Sequence, residues 1–270
     1  MASVTDWTPI GDIDASNYTT AEPYAAVHPF TGVFNGQGYA IKNLNCSSDI
    51  TNGRLSYGLF GSIENATVKN LILGDAGTAV TWTMSGTAPK YSIIAPLACF
   101  AKNSVIEGCT NYYNVDFTAD NKSGEFVALS GLVGAIINST IGGESKTQSC
   151  ANRGFVRTGR ISNTANGGTG MQTAGICAFM AKAEGGKLSY CTNYGDIFTE
   201  GNGTNRHGPG WLCGYSGAST ATWINCKACV CGGYVGDYSK YKDDPTSAPD
   251  ATNENAFCHA NKNYDPSINF

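Results

Sequence analysis

Two aspartates stand where a glycan-cleaving enzyme could use them. Asp116 and Asp196 follow cysteines of a repeated phrase, but one lies seven residues and the other five residues after its cysteine. Glycosidic cleavage needs two carboxyl groups about 5–9 Å apart, and the unequal offsets predict that the aspartates lie in different columns of a stacked structure. Arg157 holds the place of Asp116 in the next repeat, which predicts a surface ion pair. We therefore assign no catalytic residue.

A second set of residues could bind a ligand. Three residues after each of three evenly spaced cysteines come Tyr112, Arg153 and Tyr194. If the cysteines face inwards, these side chains face outwards one above another, and an arginine between two tyrosines forms cation–π contacts. Flat aromatic rows suit sugar rings, and aromatic residues are enriched at binding surfaces. The first interpretation is a column that stabilises the fold. The alternative that we keep is ligand binding at these three residues, with Tyr113 extending the surface.

Metal and nucleophile sites have weak support. Zinc prefers four cysteine or histidine ligands, but the Cys-x-Cys spacing near the end of the chain is awkward for one ion. The three histidines stand beside no serine or cysteine in a catalytic pattern. We therefore expect no metal and no cofactor. The zinc candidates that we weighed are Cys226, Cys229, Cys231, Cys258 and His259.

The elements that would position these residues follow from a repeat. Five stretches share one short apolar phrase between small residues, and each is followed by a second phrase that ends in Leu or Cys. Such a repeat predicts stacked coils, and the first phrase is typical of a short strand with a corner at each end. The first phrases are Gly58-Leu59-Phe60-Gly61, Ala95-Pro96-Leu97-Ala98, Gly131-Leu132-Val133-Gly134, Gly175-Ile176-Cys177-Ala178 and Trp211-Leu212-Cys213-Gly214. The second phrases end at Leu71, Cys109, Cys150, Cys191 and Cys226.

The last residue of the second phrase indicates the interior. Cys109, Cys150 and Cys191 stand 41 residues apart, and Leu71 holds the same place in an earlier repeat. A position that accepts Leu or Cys is an interior apolar position, because a cysteine without a disulfide packs as a small hydrophobe. We therefore predict buried thiols in this column and at Cys226.

An asparagine follows two residues after each of these three cysteines. Asn111, Asn152 and Asn193 can donate and accept hydrogen bonds along the stack, which predicts a structural ladder. The alternative for these residues is ligand contact. Four residues further on come β-branched residues, which indicate a third strand. Three strands per coil predict an all-β, right-handed parallel β-helix of about six coils with capped ends.

The length, charge and composition of the chain limit its domain organisation and the classes of partner that it could bind. We expect one domain over 1–270, with a cap region at 1–30, repeats at 31–236 and a second cap region at 237–270, because a solenoid must cover both open ends. The net charge is −4 and no basic stripe occurs, which argues against nucleic acid. No apolar run approaches the roughly 20 residues of a membrane helix. The N-terminus has no leader pattern. We expect a mature fragment that lacks its signal peptide, and the alternative is a cytosolic protein.

One stretch also carries a resemblance. Residues 30–44 read Phe-x-Gly-x-Phe-Asn-Gly-x-Gly-x-x-Ile-x-Asn-Leu, and Gly58-Leu59-Phe60-Gly61 and Ala66-Thr67-Val68-Lys69-Asn70-Leu71 follow. This resembles the GLUG-motif β-helix repeats of bacterial surface proteins, including Bacteroidetes-type secreted proteins and lipoproteins. It covers about residues 30–236, with Pro96 and Trp211 in place of the family glycine. It implies a secreted or surface-anchored protein and supplies no catalytic residue.

These observations favour a non-enzymatic bacterial surface protein. We expect an adhesin-like or glycan-binding β-helix whose partner is a glycan or a host surface protein, or a β-helix that serves as a stiff spacer. The alternative is a carbohydrate-active enzyme, a polysaccharide lyase or glycoside hydrolase, with its site in the long loops between coils.

Overall fold

The computed structural model describes the residues 7–14, 25–45, 48–49, 56–77, 80–85, 92–117, 127–158, 171–181, 186–199, 209–210, 212–216, 230–231 and 235–237. Within these ranges the regular structure is almost entirely short β-strands, with one 3-10 turn at Lys146–Gln148. No helix in the described ranges is long and apolar enough to cross a membrane.

An antiparallel pair comes first, and every later strand belongs to a parallel sheet. The pair is β1 (Asp12–Asp14) and β2 (Ala25–Val27). The parallel strands are β3 (Val33–Asn35), β4 (Ala40–Ile41), β5 (Ser48–Asp49), β6 (Ser56–Tyr57), β7 (Phe60–Glu64), β8 (Thr67–Lys69), β9 (Ile72–Leu73), β10 (Thr81–Ser85), β11 (Ser92–Ile94), β12 (Ala98–Lys102), β13 (Val105–Glu107), β14 (Thr110–Asn111), β15 (Asn114–Phe117), β16 (Val127–Ser130), β17 (Val133–Ile137), β18 (Ser139–Ile141), β19 (Cys150–Asn152), β20 (Val156–Thr158), β21 (Met171–Ala174), β22 (Cys177–Met180), β23 (Gly186–Leu188), β24 (Cys191–Asn193), β25 (Ile197–Thr199), β26 (Pro209–Gly210), β27 (Cys213–Ser216), β28 (Val230–Cys231) and β29 (Val235–Asp237).

These strands form five parallel sheets that run along one stack. Each strand pairs with the corresponding strand one coil earlier and one coil later, so the chain winds through the five sheets in a fixed order. Sheet I holds β6, β11, β16, β21 and β26, and sheet II holds β7, β12, β17, β22 and β27. Sheet III holds β3, β8, β13, β18 and β23; sheet IV holds β4, β9, β14, β19, β24 and β28; sheet V holds β5, β10, β15, β20, β25 and β29. The predicted parallel β-helix is confirmed, and about six coils stays a prediction for the whole chain.

The prediction of three strands per coil is wrong, because each full coil has five. The second phrase crosses from sheet III to sheet IV through a corner made by a single residue with positive φ. Gly108 (φ 63°) occupies this corner in one coil, and Asn70 (φ 54°) occupies it in the coil before. In the next coil a longer loop, which contains the 3-10 turn Lys146–Gln148, takes the place of the corner. One left-handed residue turns the chain without a loop, and glycine and asparagine tolerate that conformation. The sequence therefore shows no gap between these two strands.

The register of one first phrase also differs from the prediction. Phe60 pairs with Ala98, and Ala98 pairs with Val133. Leu97, which the aligned phrases place opposite Phe60, lies one residue earlier. Tyr57 pairs with Ile94, so the chain uses one residue more between sheets I and II in this coil. The substitution of Pro96 for the expected glycine accompanies that longer corner.

The strands enclose one long apolar interior. Trp82, Phe60, Phe117 and Ile63 are among its fully buried side chains. Alternate residues of each strand point into this interior, which follows from the two-residue period of a β-strand. Removing apolar surface from water stabilises the folded state by roughly 25 cal/mol for each Å² that is buried. Burial of this continuous interior is therefore the main contribution to the stability of the stack.

A second apolar cluster lies on the opposite faces of sheets I and II. Ile94 belongs to the interior, whereas its neighbour Ile93 packs with Phe100 and Phe179 in this second cluster. These side chains are buried although they point away from the main interior. Sheets I and II therefore meet at a concave corner that buries residues on both of their faces.

Two glycines of the first phrase are required by this concave corner. A Cβ on Gly131 would lie 2.2 Å from Cγ of Asn152, and a Cβ on Gly134 would lie 2.3 Å from Cγ1 of Ile93. The backbone at Gly131 thus lies directly against the side chain of the interior Asn152, and the absence of a side chain at Gly134 lets sheet I approach sheet II. The Gly-x-x-Gly phrase is explained by these close approaches, since any larger residue needs space that neighbouring coils occupy.

The described part of the predicted N-terminal cap region lies along the first strand of sheet II. Ile10 bridges to Phe60 and Phe30 bridges to Ile63. The indole N–H of Trp7 donates to the carbonyl oxygens of Gly58 (3.0 Å) and Leu59 (3.2 Å). These bonds cover backbone groups that an edge strand would otherwise expose. Apart from Asp237, the predicted C-terminal cap region lies outside the described residues.

We expect Gly131→Ala to lower the free energy of unfolding by about 2 kcal/mol or more, because the added methyl group overlaps the Asn152 amide. Urea unfolding followed by circular dichroism measures the change. Gly77→Ala is the matched control: its Cβ would meet only Asp75 Oδ1, at 3.9 Å, so a change within about 0.5 kcal/mol is expected. Equal stability of the two variants would contradict the close approach.

Candidate functional site

The predicted cysteine column is present and faces the interior. Cys150 pairs directly with Cys191, and Thr110 pairs with Ala151, which places Cys109 beside Cys150. All three are buried thiols without disulfide bonds. The thiols of Cys150 and Cys191 each donate to a sheet III carbonyl of an earlier coil, at Ile106 (3.5 Å) and Ile141 (3.3 Å). Each of these carbonyls also accepts a backbone N–H, from Gly142 (2.7 Å) and Ser189 (2.9 Å) respectively, so the thiol adds a second, weak hydrogen bond. The other buried thiols of the described ranges are Cys99, Cys177 and Cys213.

The column does not continue as predicted in the last coil. Thr192 pairs with Val230, and Asn193 pairs with Cys231. The predicted register put Lys227, the residue after Cys226, at the place of Thr192, so this register is wrong by three residues. Cys226 itself lies outside the described residues.

The asparagine ladder is confirmed. Nδ2 of Asn111 donates to Oδ1 of Asn152 (2.9 Å), and Nδ2 of Asn152 donates to Oδ1 of Asn193 (2.8 Å). The three side chains are fully buried. Each Nδ2 also donates to the backbone carbonyl two residues on, at Tyr113, Gly154 and Gly195. Ligand contact by these asparagines has no support, because their side chains are inaccessible.

We expect Asn152→Ala to lower the free energy of unfolding by about 3 kcal/mol, since three buried hydrogen bonds are lost. Thermal or urea unfolding measures the loss, and ligand affinity is expected to stay unchanged. Thr110→Ala, a half-buried change on the outer face of β14, is the control and should cost much less. A loss of binding with unaltered stability would instead place Asn152 in a binding site.

The thiol of Cys109 should also be chemically inert. The hydrogen bond of Cys109 to the Cys150 thiol, together with burial, holds the pKa of Cys109 well above its ordinary value. A raised thiol pKa leaves less thiolate at any given pH, and only the thiolate is an effective nucleophile. At pH 8 we expect peptides containing Cys109 to be alkylated by iodoacetamide in denaturant but not in the folded protein. Modification of folded protein at the rate of a small thiol would contradict this; peptide mass spectrometry gives the answer.

The outward column lies directly beside the ladder. Tyr112, Arg153 and Tyr194 are the residues that follow the three ladder asparagines, and their side chains stack one coil apart. The guanidinium carbon of Arg153 lies 4.3 Å from the ring centroid of Tyr194 and 5.8 Å from that of Tyr112. Arg153 is exposed, Tyr194 is 48% exposed and Tyr112 is half-buried. We call these three residues the tyrosine–arginine column.

The backbone fixes the spacing of this column. The Arg153 N–H donates to the Asn111 carbonyl (2.8 Å), and the Tyr194 N–H donates to the Asn152 carbonyl (2.8 Å). The side chains therefore stand at the separation of parallel strands, about 4.8 Å per coil. Such a row is rigid before any ligand arrives.

Sheet V adds two further outward columns next to the tyrosine–arginine column. The first contains Asn114, Phe155 and Asp196, all half-buried. In the second, Asp116 pairs with Arg157 and Arg157 pairs with Phe198. The rings of Phe155 and Phe198 are 6.5 Å apart. Aromatic, amide and carboxylate groups thus occupy adjacent columns, in which Asp116 (9% exposed) and Phe198 (6% exposed) are nearly buried.

Tyr113 does not extend this surface, which corrects the prediction. Its side chain is fully buried and its ring stacks on Trp82 at 5.2 Å. The hydroxyl accepts from the Leu44 N–H (3.1 Å) and donates to the Ile41 carbonyl (2.7 Å). Burial raises the pKa of this phenol. Tyr112 faces outwards, so the next residue points into the interior, where its hydroxyl joins two coils.

The carboxylates stand as predicted in different columns. Asp116 accepts two hydrogen bonds from Arg157, from Nε (2.9 Å) and from Nη2 (2.5 Å), which confirms the expected ion pair. Asp196 lies in the column of Asn114 and Phe155, two positions along the strand from the column of Asp116. The two carboxylates therefore do not pair within one column.

In the described ranges no group of three or more potential ligands could hold a metal ion. Of the zinc candidates only Cys231 is described, in β28; Cys226, Cys229, Cys258 and His259 lie outside those ranges.

Sequence reasoning missed a second asparagine column, at the corner between sheets II and III. Asn65, Asn103 and Asn138 are exposed and have φ values of 50°, 49° and 44°. Nδ2 of Asn138 donates to Oδ1 of Asn103 (2.9 Å). A small residue follows each of them, Ala66, Ser104 or Ser139, and this recurring pair was the available signal.

Comparison of the chain with family models, with curated proteins and with solved structures finds no match.

Proposed function

We propose that this protein is a non-enzymatic glycan-binding β-helix that contacts its ligand through the tyrosine–arginine column. The observation that carries the proposal is the exposed stack of Tyr112, Arg153 and Tyr194, held at the repeat of the coils. A polysaccharide is itself a repeating chain, and a row of equally spaced polar and aromatic groups suits contact with several sugar units at once.

The rigidity of the row supports affinity. Binding loses free energy when mobile side chains are ordered, by about 0.5–1.5 kcal/mol for each flexible side chain. Arg153 is already held over the Tyr194 ring, and the backbone of all three residues is fixed by parallel ladders. The neighbouring Asn114 and Asp196 supply polar groups of the kind that fix the orientation of a ligand.

The carbohydrate-active enzyme that the sequence left as the alternative receives no support from the aspartates. Both carboxylate oxygens of Asp116 accept hydrogen bonds from Arg157. A general acid or nucleophile at this position would have to break a bidentate charged pair.

We further propose that the protein belongs on a bacterial surface or among secreted proteins. The resemblance of residues 30–44 and of the Gly-x-x-Gly phrases to GLUG-motif repeats supports this.

A glycan array tests the function, with Tyr194→Ala and the double variant Tyr112→Ala/Tyr194→Ala beside the parent protein. We expect binding to at least one polysaccharide and a loss of about tenfold or more in the double variant, because each exposed ring contributes contact area and a polar hydroxyl. Tyr39→Ala removes a tyrosine that is 74% exposed and lies directly before β4, two coils before Tyr112 and outside the tyrosine–arginine column, and it should leave binding unchanged.

A reducing-sugar assay on every bound polysaccharide separates binding from turnover. Product formation would overturn the non-enzymatic proposal. Binding that survives the double variant would remove the tyrosine–arginine column from the site.

A further inference from the structure

The proposed glycan surface carries one cation that the described chain does not neutralise. The described ranges contain two arginines. Arg157 is bound by Asp116, whereas Arg153 contacts the Tyr112 and Tyr194 rings and forms no ion pair with any described residue. The two arginines stand in outward columns of the same coil, with Phe155 between them, yet only one has its charge balanced by a described residue.

The position of the Arg153 guanidinium limits what the tyrosines can do. A guanidinium 4.3 Å from the Tyr194 centroid covers one face of that ring. That face is not available for stacking against a neutral sugar. In this coil the group offered to a ligand is the guanidinium itself, whose N–H donors lie in its own plane and point away from the ring.

These donors are arranged for an anionic group. The planar fork of an arginine matches the two oxygens of a carboxylate or sulfate, and such charged hydrogen bonds are stronger than neutral ones. Stacking on an aromatic ring fixes the fork in place and removes part of its hydration, so less is lost when an anion binds. A neutral sugar hydroxyl would use only one donor at a time.

We infer that the ligand of this surface is an anionic polysaccharide, whose uronate carboxylate or sulfate ester binds the Arg153 guanidinium. The inference rests on the proposed glycan-binding function and names the chemical class of the ligand. The tyrosine hydroxyls and Asn114 then contact the sugar hydroxyls on either side of the charged group.

The test uses two pairs of polymers that differ only in charge. Polygalacturonate is compared with its fully methyl-esterified form, and dextran sulfate with dextran, by biolayer interferometry on the immobilised full chain. The first pair reports carboxylate recognition and the second reports sulfate recognition. The proteins are the parent, Arg153→Gln, Arg153→Lys and Lys146→Gln. Lys146 is exposed in the same coil, so its variant removes one positive charge away from the surface.

We expect binding to at least one anionic polymer, at least about tenfold tighter than to its neutral counterpart and weakened by added salt. Arg153→Gln should weaken it about ten- to a hundredfold. Arg153→Lys should weaken binding less than Arg153→Gln does, because lysine keeps the positive charge but lacks the planar pair of N–H donors. Lys146→Gln should change affinity less than about twofold. Because Arg153 is exposed, all variants should melt within a few degrees of the parent.

Three outcomes overturn the inference. Equal affinity for charged and neutral polymers, or full binding by Arg153→Gln, would show that Arg153 does not select an anion; glycan binding would still stand if Tyr112→Ala/Tyr194→Ala weakened it. Absence of binding to these polymers and to every glycan of the array would overturn the proposed function together with the inference.

Discussion

An asparagine amide buried away from water must satisfy its oxygen and its N–H groups inside the protein. Asn111, Asn152 and Asn193 do so by bonding to each other and to their own chain. Each bond works only if the coils are in register, because a slip of one residue turns the asparagine outwards and brings an outward side chain in. The ladder therefore fixes the register of sheets IV and V, and with it the position of every residue beside it.

The concave corner between sheets I and II depends on the same ladder. Gly131 lies against the Asn152 amide, so the corner presses inwards to meet it. That inward bend brings together Ile93 and Phe100 on the outer faces of the two sheets and buries a second apolar cluster. The stack is thus stabilised on both faces of two of its sheets, and Gly131 and Gly134 permit this arrangement because they occupy no side-chain volume.

The spacing of side chains on the outer surface is set by the hydrogen bonds of the interior. Asn152 and Arg153 are neighbours in sequence and point to opposite sides of the same strand end. The asparagine ladder in the interior therefore sets the spacing of the tyrosine–arginine column on the surface. This coupling gives the proposed binding surface a rigid row of groups at no further ordering cost. It also explains why one cation can stand between two aromatic rings in successive coils, an arrangement that a mobile loop would not maintain.

Evenly spaced residues were enough to predict the parallel stack, the buried thiols at Cys109, Cys150 and Cys191, the asparagine ladder and the Asp116–Arg157 pair. Each of these depends on the repeat alone, since residues at the same place in successive coils must be neighbours. The spacing also predicted that Tyr112, Arg153 and Tyr194 form one outward column.

Only the tertiary structure decided how the chain turns within a coil. The left-handed residues Asn70 and Gly108 each divide one apparent strand into two, and no break in the repeated phrase marks them as corners. The burial of Tyr113 likewise depended on the Leu44 and Ile41 backbone of an earlier coil. A repeat in sequence specifies which residues stack, because stacking follows the period. The path of the chain between the stacked positions is determined by contacts across the coil. These contacts do not recur at a fixed sequence spacing, so the repeat does not predict them.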